Sequence, residues 1–182
     1  DHPYELYLRE AVEKANLSLI EMYEEKYRNN PKDNDVISEL GWCYLQNNRY
    51  DDAIEIALGM DVENNEYQYY NLLGRCYLYK REAKKAIEAL THWIDAIKKD
   101  EDNPEEKVDK KRRDVDFAYW LIAQSYEMLK DYDMANKYLD LAIQKKPDNV
   151  NYKEYKAKLY IVVGKNQEAI ELCDEILSSS ES

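Results

Sequence analysis

The residue types that most often carry out catalysis are few or scattered in this sequence. His2 lies at the terminus, and His92 has no serine or cysteine at a spacing that would pair a nucleophile with a base. Asp51 and Asp52 could act as a general acid and base, but among 38 acidic residues such a pair is typical of a solvated helix start. The sequence therefore predicts a protein that is not an enzyme.

The cysteines and glycines do not form a recognisable cofactor or metal motif. Cys43, Cys76 and Cys173 are an odd set with wide spacing, which fits neither a disulfide framework nor a zinc site. The 4 glycines are too scattered to build a loop that cradles phosphate. We expect no cofactor and no metal, and unpaired thiols favour a reducing compartment such as the cytoplasm.

The charge balance narrows the class of partner. With 38 acidic and 26 basic residues, the formal net charge is -12 at pH 7. Nucleic acids and anionic membranes attract clustered positive charge, so neither is expected as a partner. The sequence contains no apolar run of about 18 residues, so no membrane insertion is expected either. The charge is compatible with a partner that carries basic residues, and plain solubility also explains it.

One short sequence pattern recurs along the chain and predicts its architecture. Leu-Gly-x-Cys-Tyr-Leu occurs at residues 40–45 and 73–78, and an alanine follows twelve residues after each glycine. The same frame fits twice more, at Ala123 with Ala135 and, more loosely, at Ala157 with Ala169. The intervals between the four later alanines are 33, 49 and 34 residues. Such a period indicates stacked supersecondary units.

The pattern has a physical explanation in helix packing. Apolar residues recur at helical spacing and glycine and proline are rare, so each unit is predicted to be two helices joined by a tight turn. Two helices that cross closely need a small residue on each side. Gly41 and Gly74 would supply it on first helices, and we expect Ala53, Ala86 and Ala135 to be nearly fully buried on second helices.

This frame resembles the tetratricopeptide repeat, a helical pair of 34 residues. The resemblance implies an all-α, right-handed superhelix that forms a single domain over residues 1–182. The expected repeats span 34–66, 67–100, 116–149 and 150–182. Residues 1–33, as a helical hairpin or one long helix, would be a degenerate N-terminal repeat or cap.

The long interval contains a charged insertion, residues 101–115. A flexible loop is one interpretation. Helix signals favour the other: Asn103 suits an N-cap, Pro104 the first helical position, and Val108 and Val115 continue an apolar stripe. We therefore predict that the first helix of the third repeat is extended, beginning near Pro104 and ending near Lys130.

The resemblance also implies a working surface, because first helices in this family line a concave groove. Aromatic rings, amides and a cation there are typical of a surface that binds an extended peptide. The alternative is that Trp42 and Trp120 only pack between neighbouring helices. The candidate groove residues are Trp42, Asn71, Arg75, Tyr79, Trp120, Gln124 and Met128.

Family members that bind the carboxyl-terminal tails of heat-shock chaperones use lysine, asparagine and arginine at fixed groove positions. Here those positions hold Ser38, Trp42, Leu72, Phe117 and Leu121. Shifted by one repeat, they hold Asn71, Arg75, Leu121, Asn151 and Tyr155. Neither alignment supplies the set, so no chaperone-tail clamp is expected.

The sequence thus predicts a non-catalytic scaffold that binds a peptide or protein segment in its concave groove. Two other functions stay open. The chain could be the scaffold arm of a larger enzyme or co-chaperone, because tetratricopeptide arrays are often joined to such domains. It could also be a structural module that associates with itself.

Overall fold

The protein is all-α in a computed structural model that describes residues 3–102 and 115–180. That part of the chain contains helices and no strand. Successive helices pack as pairs into a right-handed superhelix of the tetratricopeptide type, which confirms the predicted fold class. The helices are α1 (Pro3–Asn29), α2 (Asn34–Gln46), α3 (Tyr50–Ala57), α4 (Glu66–Tyr79), α5 (Ala83–Glu101), α6 (Val115–Met128), α7 (Tyr132–Lys145), α8 (Val150–Val162) and α9 (Asn166–Ser180).

The predicted small residues lie where helices cross. Ala53, Ala86 and Ala135 are each 0% exposed, which confirms the expectation for second helices. A Cβ added at Gly74 would lie 2.6 Å from Leu90 of α5, its partner helix. A Cβ at Gly41 would lie 2.5 Å from Leu72 of α4 in the next pair. The glycines therefore permit close approach both within a pair and between neighbouring pairs.

Each of the four turns that join the helices of a pair contains one residue with positive φ. Asn48, Arg81, Lys130 and Gly164 all have positive φ, between 58° and 80°. They are separated by the same intervals as the crossing alanines. Only the last of these positions is a glycine, the residue for which this conformation carries no steric penalty.

The N-terminal segment is one long helix, α1, and not a hairpin. Its second half packs against α2, with Ile20 buried and Tyr23 and Tyr27 partly buried. Leu6 and Leu17 share the apolar pattern but are 46% and 59% exposed, because α2 covers only the second half of the helix.

The predicted helical extension over residues 104–115 falls almost entirely outside the described residues, so it stays a prediction. Val115, the first residue described after the gap, is buried and begins α6. The helix ends at Met128, two residues before the predicted end.

Enlarging a crossing alanine should destabilise the stack. Ala86→Leu adds three heavy atoms where the side chain has no exposed surface, so overpacking should cost about 1–3 kcal/mol of unfolding free energy. Urea denaturation followed by circular dichroism would measure it. Lys84→Leu, at an exposed position of the same helix, is the matched control and should change little. Equal stability of the two variants would contradict the crossing geometry.

The positive-φ turns predict a stabilising substitution. Lys130 adopts a left-handed conformation that costs a non-glycine residue about 1–2 kcal/mol. Glycine removes that strain but loses more entropy on folding, so Lys130→Gly should raise the unfolding free energy by about 0.5–1 kcal/mol. Asn48→Gly should gain less, because asparagine tolerates this conformation and Asn48 also accepts a hydrogen bond from the Tyr50 hydroxyl. A thermal melt that ranks the two variants in the opposite order would show this account to be wrong.

Candidate peptide-binding groove

The candidate groove residues lie on the first helices of successive pairs, and these helices contact one another. Helix α4 contacts α2 on one side and α6 on the other. Trp42 of α2 and Arg75 of α4 follow directly after the crossing glycines, so both point about 100° away from the helix crossing. The repeat register therefore brings equivalent positions of neighbouring pairs into contact.

Arg75 is the centre of the first cluster. Its guanidinium carbon lies 4.6 Å from the ring centroid of Phe117, 5.1 Å from that of Trp42 and 5.6 Å from that of Trp93. Its Nε donates a hydrogen bond of 2.8 Å to Oδ1 of the buried Asn71. Three rings and one amide thus fix the position of the cation.

The electrostatic surroundings of Arg75 are unusual for a half-buried cation. Within residues 3–102 and 115–180, no carboxylate pairs with it. Asp116 lines the same cavity, but its carboxylate accepts a 2.5 Å hydrogen bond from the Tyr152 hydroxyl and lies 3.6 Å from Nζ of Lys146. Burial away from water lowers the pKa of Arg75 below its usual range, with a smaller opposing effect from Tyr79 and Tyr67.

A cavity of about 430 Å³ opens beside this cluster. Trp93 of α5 lies in its wall and is 2% exposed, and its indole Nε1 has no hydrogen-bond acceptor among residues 3–102 and 115–180. The residues that line the cavity are Tyr67, Arg75, Trp93, Asp116, Phe117, Lys146, Asn149 and Tyr152.

A second cavity, of about 560 Å³, lies next along the groove. The ring of Trp120 joins the two cavities, since its centroid is 5.4 Å from that of Phe117 and 6.0 Å from that of Tyr152. Nε1 of Trp120 also lacks an acceptor in the part of the chain that the structure describes. The residues that line this cavity are Arg81, Trp120, Gln124, Glu127, Met128, Lys130, Tyr132 and Tyr155.

Glu127 places a carboxylate in the second cavity. The Tyr155 hydroxyl donates a hydrogen bond to it. Burial raises the pKa of the Glu127 carboxyl above its ordinary value, and the positive charge of Lys158 opposes this only in part. Glu127 therefore adds a carboxylate to a lining that also contains Arg81 and Lys130.

The structure places four of the seven candidate residues in the cavity linings: Arg75 in the first, and Trp120, Gln124 and Met128 in the second. Trp42 and Asn71 contact Arg75 but do not line either cavity. Tyr79 lies outside both cavities, and its exposed ring packs against Tyr50, with centroids 5.7 Å apart. Trp42 and Trp120 are both half-buried. Each therefore packs against neighbouring helices and also keeps an accessible face on the candidate groove.

Sequence reasoning missed most of the residues that line the first cavity, including Trp93 and Asp116. Trp93 was not predicted as a groove residue because it belongs to a second helix, and the groove was assigned to first helices alone. Asp116 had a usable signal, since it is the only charged residue between Val115 and Tyr126.

The buried cysteines and His92 could have indicated catalysis or metal binding, but their surroundings are those of packed residues. Burial raises the pKa of the Cys76 thiol to about 12, and that of Cys43 is also raised. His92 stacks on Tyr70, with ring centroids 4.6 Å apart. Over the described ranges, no cluster of histidine, cysteine and carboxylate side chains has the arrangement of a metal site, and no helix has the length and apolar character needed to span a membrane.

Comparison with known proteins agrees with this architecture. A sequence model of the tetratricopeptide repeat matches residues 20–67. A crystal structure of MamA superposes with a TM-score of 0.74 at 19% identity, covering 95% of this chain and 93% of that one. MamA from Desulfovibrio magneticus RS-1 superposes with a TM-score of 0.76 at 13% identity, covering 98% of this chain and 93% of that one. A kinesin light chain from Podosopora anserina with TPR-like repeats superposes with a TM-score of 0.66 at 15% sequence identity. That match covers 98% of this chain and 94% of the other.

The helical pairs, their crossings and these matches define a tetratricopeptide-repeat protein. A second family model, described as the auxiliary subunit of N-terminal acetyltransferase A, matches residues 76–178, more than half of the chain. The chain belongs to this family. No curated protein sequence matches the chain.

The surroundings of the three cysteines predict their reactivity. Cys43 and Cys76 are buried and hold their thiols protonated, whereas Cys173 is exposed. Under native conditions at neutral pH, a thiol reagent such as Ellman's reagent should therefore modify Cys173 rapidly and the other two only as the chain opens. Cys173→Ser should abolish the rapid phase, and denaturant should release the remaining thiols. Rapid reaction of Cys76 in the folded protein would contradict the packing described here.

Proposed function

We propose that the protein is a non-catalytic interaction scaffold that holds an extended segment of a partner protein along its concave groove. The observation that carries this proposal is the pair of adjacent cavities joined through Phe117 and Trp120. Their walls combine aromatic rings with an amide and a cation on helices that the stack holds rigidly. A partner segment could bury apolar side chains against the rings while the polar groups fix its register.

The family match supports a more specific setting. The related protein is named as an auxiliary subunit of an acetyltransferase, and such a subunit is an accessory to an enzyme. By analogy, we propose that this chain acts as the scaffold arm of an enzyme complex, in which the groove holds part of another subunit. The free thiols support assignment to a reducing compartment, which we propose is the cytoplasm.

Self-association is the remaining alternative. Exposed apolar side chains on α1, including Tyr4 and Tyr7, are the observation that keeps it open. Light scattering at several protein concentrations would separate a monomeric scaffold from a module that assembles with itself.

The groove proposal predicts that binding depends on a few central residues. Trp120→Ala should weaken binding of the partner segment by at least about 1–2 kcal/mol, because tryptophan buries a large area and is enriched at interaction hot spots. Arg75→Ala should also weaken it, with a loss that shrinks at high salt because part of its contribution is screened. Affinity purification followed by titration of the recovered partner would measure both effects.

Two variants control this experiment. Lys137→Ala changes an exposed residue of α7 and should leave the affinity unchanged. Because Trp120 also packs against its neighbours, Gln124→Ala serves as a milder groove variant, and thermal melts check that each protein folds. If Trp120→Ala and Arg75→Ala both bind normally while Lys137→Ala or neutralisation of residues 110–113 abolishes binding, the groove is not the site.

A further inference from the structure

The first cavity contains donors that have no acceptor, which points to a missing negative group. Arginine carries five N–H donors, and only the Nε–H of Arg75 is used, on Asn71. The described residues provide no acceptor for its two Nη groups. Trp93, which is 98% buried, adds a second unpaired donor through Nε1 in the wall of the same cavity.

Unpaired buried donors are costly, so their presence needs an explanation. A buried donor without a partner loses about 1–3 kcal/mol relative to its hydrated state, and a charged group loses more. That cost falls on Nε1 of Trp93, whereas the Nη groups of Arg75 are not fully buried and face the open cavity. The cation–π contacts with Trp42, Trp93 and Phe117 hold the guanidinium there, but aromatic faces cannot replace hydrogen-bond acceptors. An acceptor with two oxygens would satisfy the guanidinium fork.

The acidic group already in the cavity does not fill this role. Asp116 is held by Tyr152 and Lys146 and is not within ion-pair distance of Arg75. It is buried at the base of α6, so moving it to Arg75 would break both of those contacts. Among residues 3–102 and 115–180, no other carboxylate lines this cavity, so the described part of the chain leaves the place of the acceptor to a partner.

We propose that Arg75 binds a carboxylate carried by an internal acidic side chain of the partner segment, between apolar neighbours. The bidentate pair forms at the Nη groups, and the Trp93 N–H donates to the ligand from the cavity wall. This proposal rests on the proposed groove function and adds the chemical identity of the residue that the groove recognises.

The position of Arg75 in the groove selects a side chain over a chain terminus. Aromatic lining continues on both sides of the cation, with Trp42 on α2 and with Phe117 and Trp120 on α6. A segment that uses both sides passes over Arg75 in its middle. Because the whole protein carries a net charge of -12, a run of acidic residues would be repelled, whereas one carboxylate among apolar residues suits the local surface.

The test uses pools of short peptides with randomised apolar and small polar flanks, all acetylated at the N-terminus. Three pools are amidated and carry glutamate, glutamine or lysine at the centre. A fourth has central glutamine and a free terminal carboxylate. Immobilised wild-type protein should retain the glutamate pool about tenfold over the glutamine pool, as expected for a charge-assisted bidentate pair.

The variants connect that preference to the site. Arg75→Gln should abolish the preference for glutamate, and Arg75→Lys should restore only part of it, because an ammonium cannot form the fork. Trp93→Phe should reduce it about threefold by removing one hydrogen bond. In wild-type protein, the Trp93 indole N–H resonance should shift on addition of an enriched glutamate peptide, and circular dichroism confirms that each variant is folded.

The outcomes separate this inference from the groove proposal. Equal retention of the glutamate and glutamine pools by the wild type would overturn the carboxylate site while leaving a peptide groove intact. Preference for the free-terminus pool would overturn the assignment to an internal side chain. If the protein retains no pool, both the groove function and the carboxylate site are overturned.

Discussion

The close crossing of helices at small residues is the constraint on which the rest of the structure depends. At Gly74 there is no room for even one methyl group, because Leu90 of the partner helix occupies that space. Ala86 and Ala135 complete such crossings from the second helices without any exposed surface. Since each pair contacts only its neighbours, the same local geometry, repeated, generates the superhelix and the position of every later helix.

The groove follows from that crossing. A residue directly after a crossing glycine is turned away from the contact by about 100°, and in successive pairs these residues lie side by side. Trp42 and Arg75 occupy this position in adjacent pairs, which is why a tryptophan ring lies against the guanidinium. The packing that stabilises the solenoid thus also arranges the surface available to a partner.

Charge is distributed on two scales in this molecule. The chain as a whole is acidic, which favours solubility and repels other strongly acidic molecules at long range. Within the groove, Arg75 is surrounded by aromatic rings and withdrawn from water, which makes its local attraction for a negative group less screened than at the surface. Each cavity lining combines one carboxylate with two cations: Asp116 with Arg75 and Lys146 in the first cavity, and Glu127 with Arg81 and Lys130 in the second.

The sequence alone determined the helical pairs, their period and the buried alanines, because helical periodicity and close packing are local properties. It left α1 open as a hairpin or a single helix, since both satisfy the same apolar stripe. Only the tertiary structure decided that Trp93 from a second helix reaches the cavity, that Asp116 is bonded to Tyr152, and that Tyr79 lies outside. These contacts depend on how far each pair is rotated against the next, and that rotation is set by the sum of many side-chain contacts between helices distant in sequence.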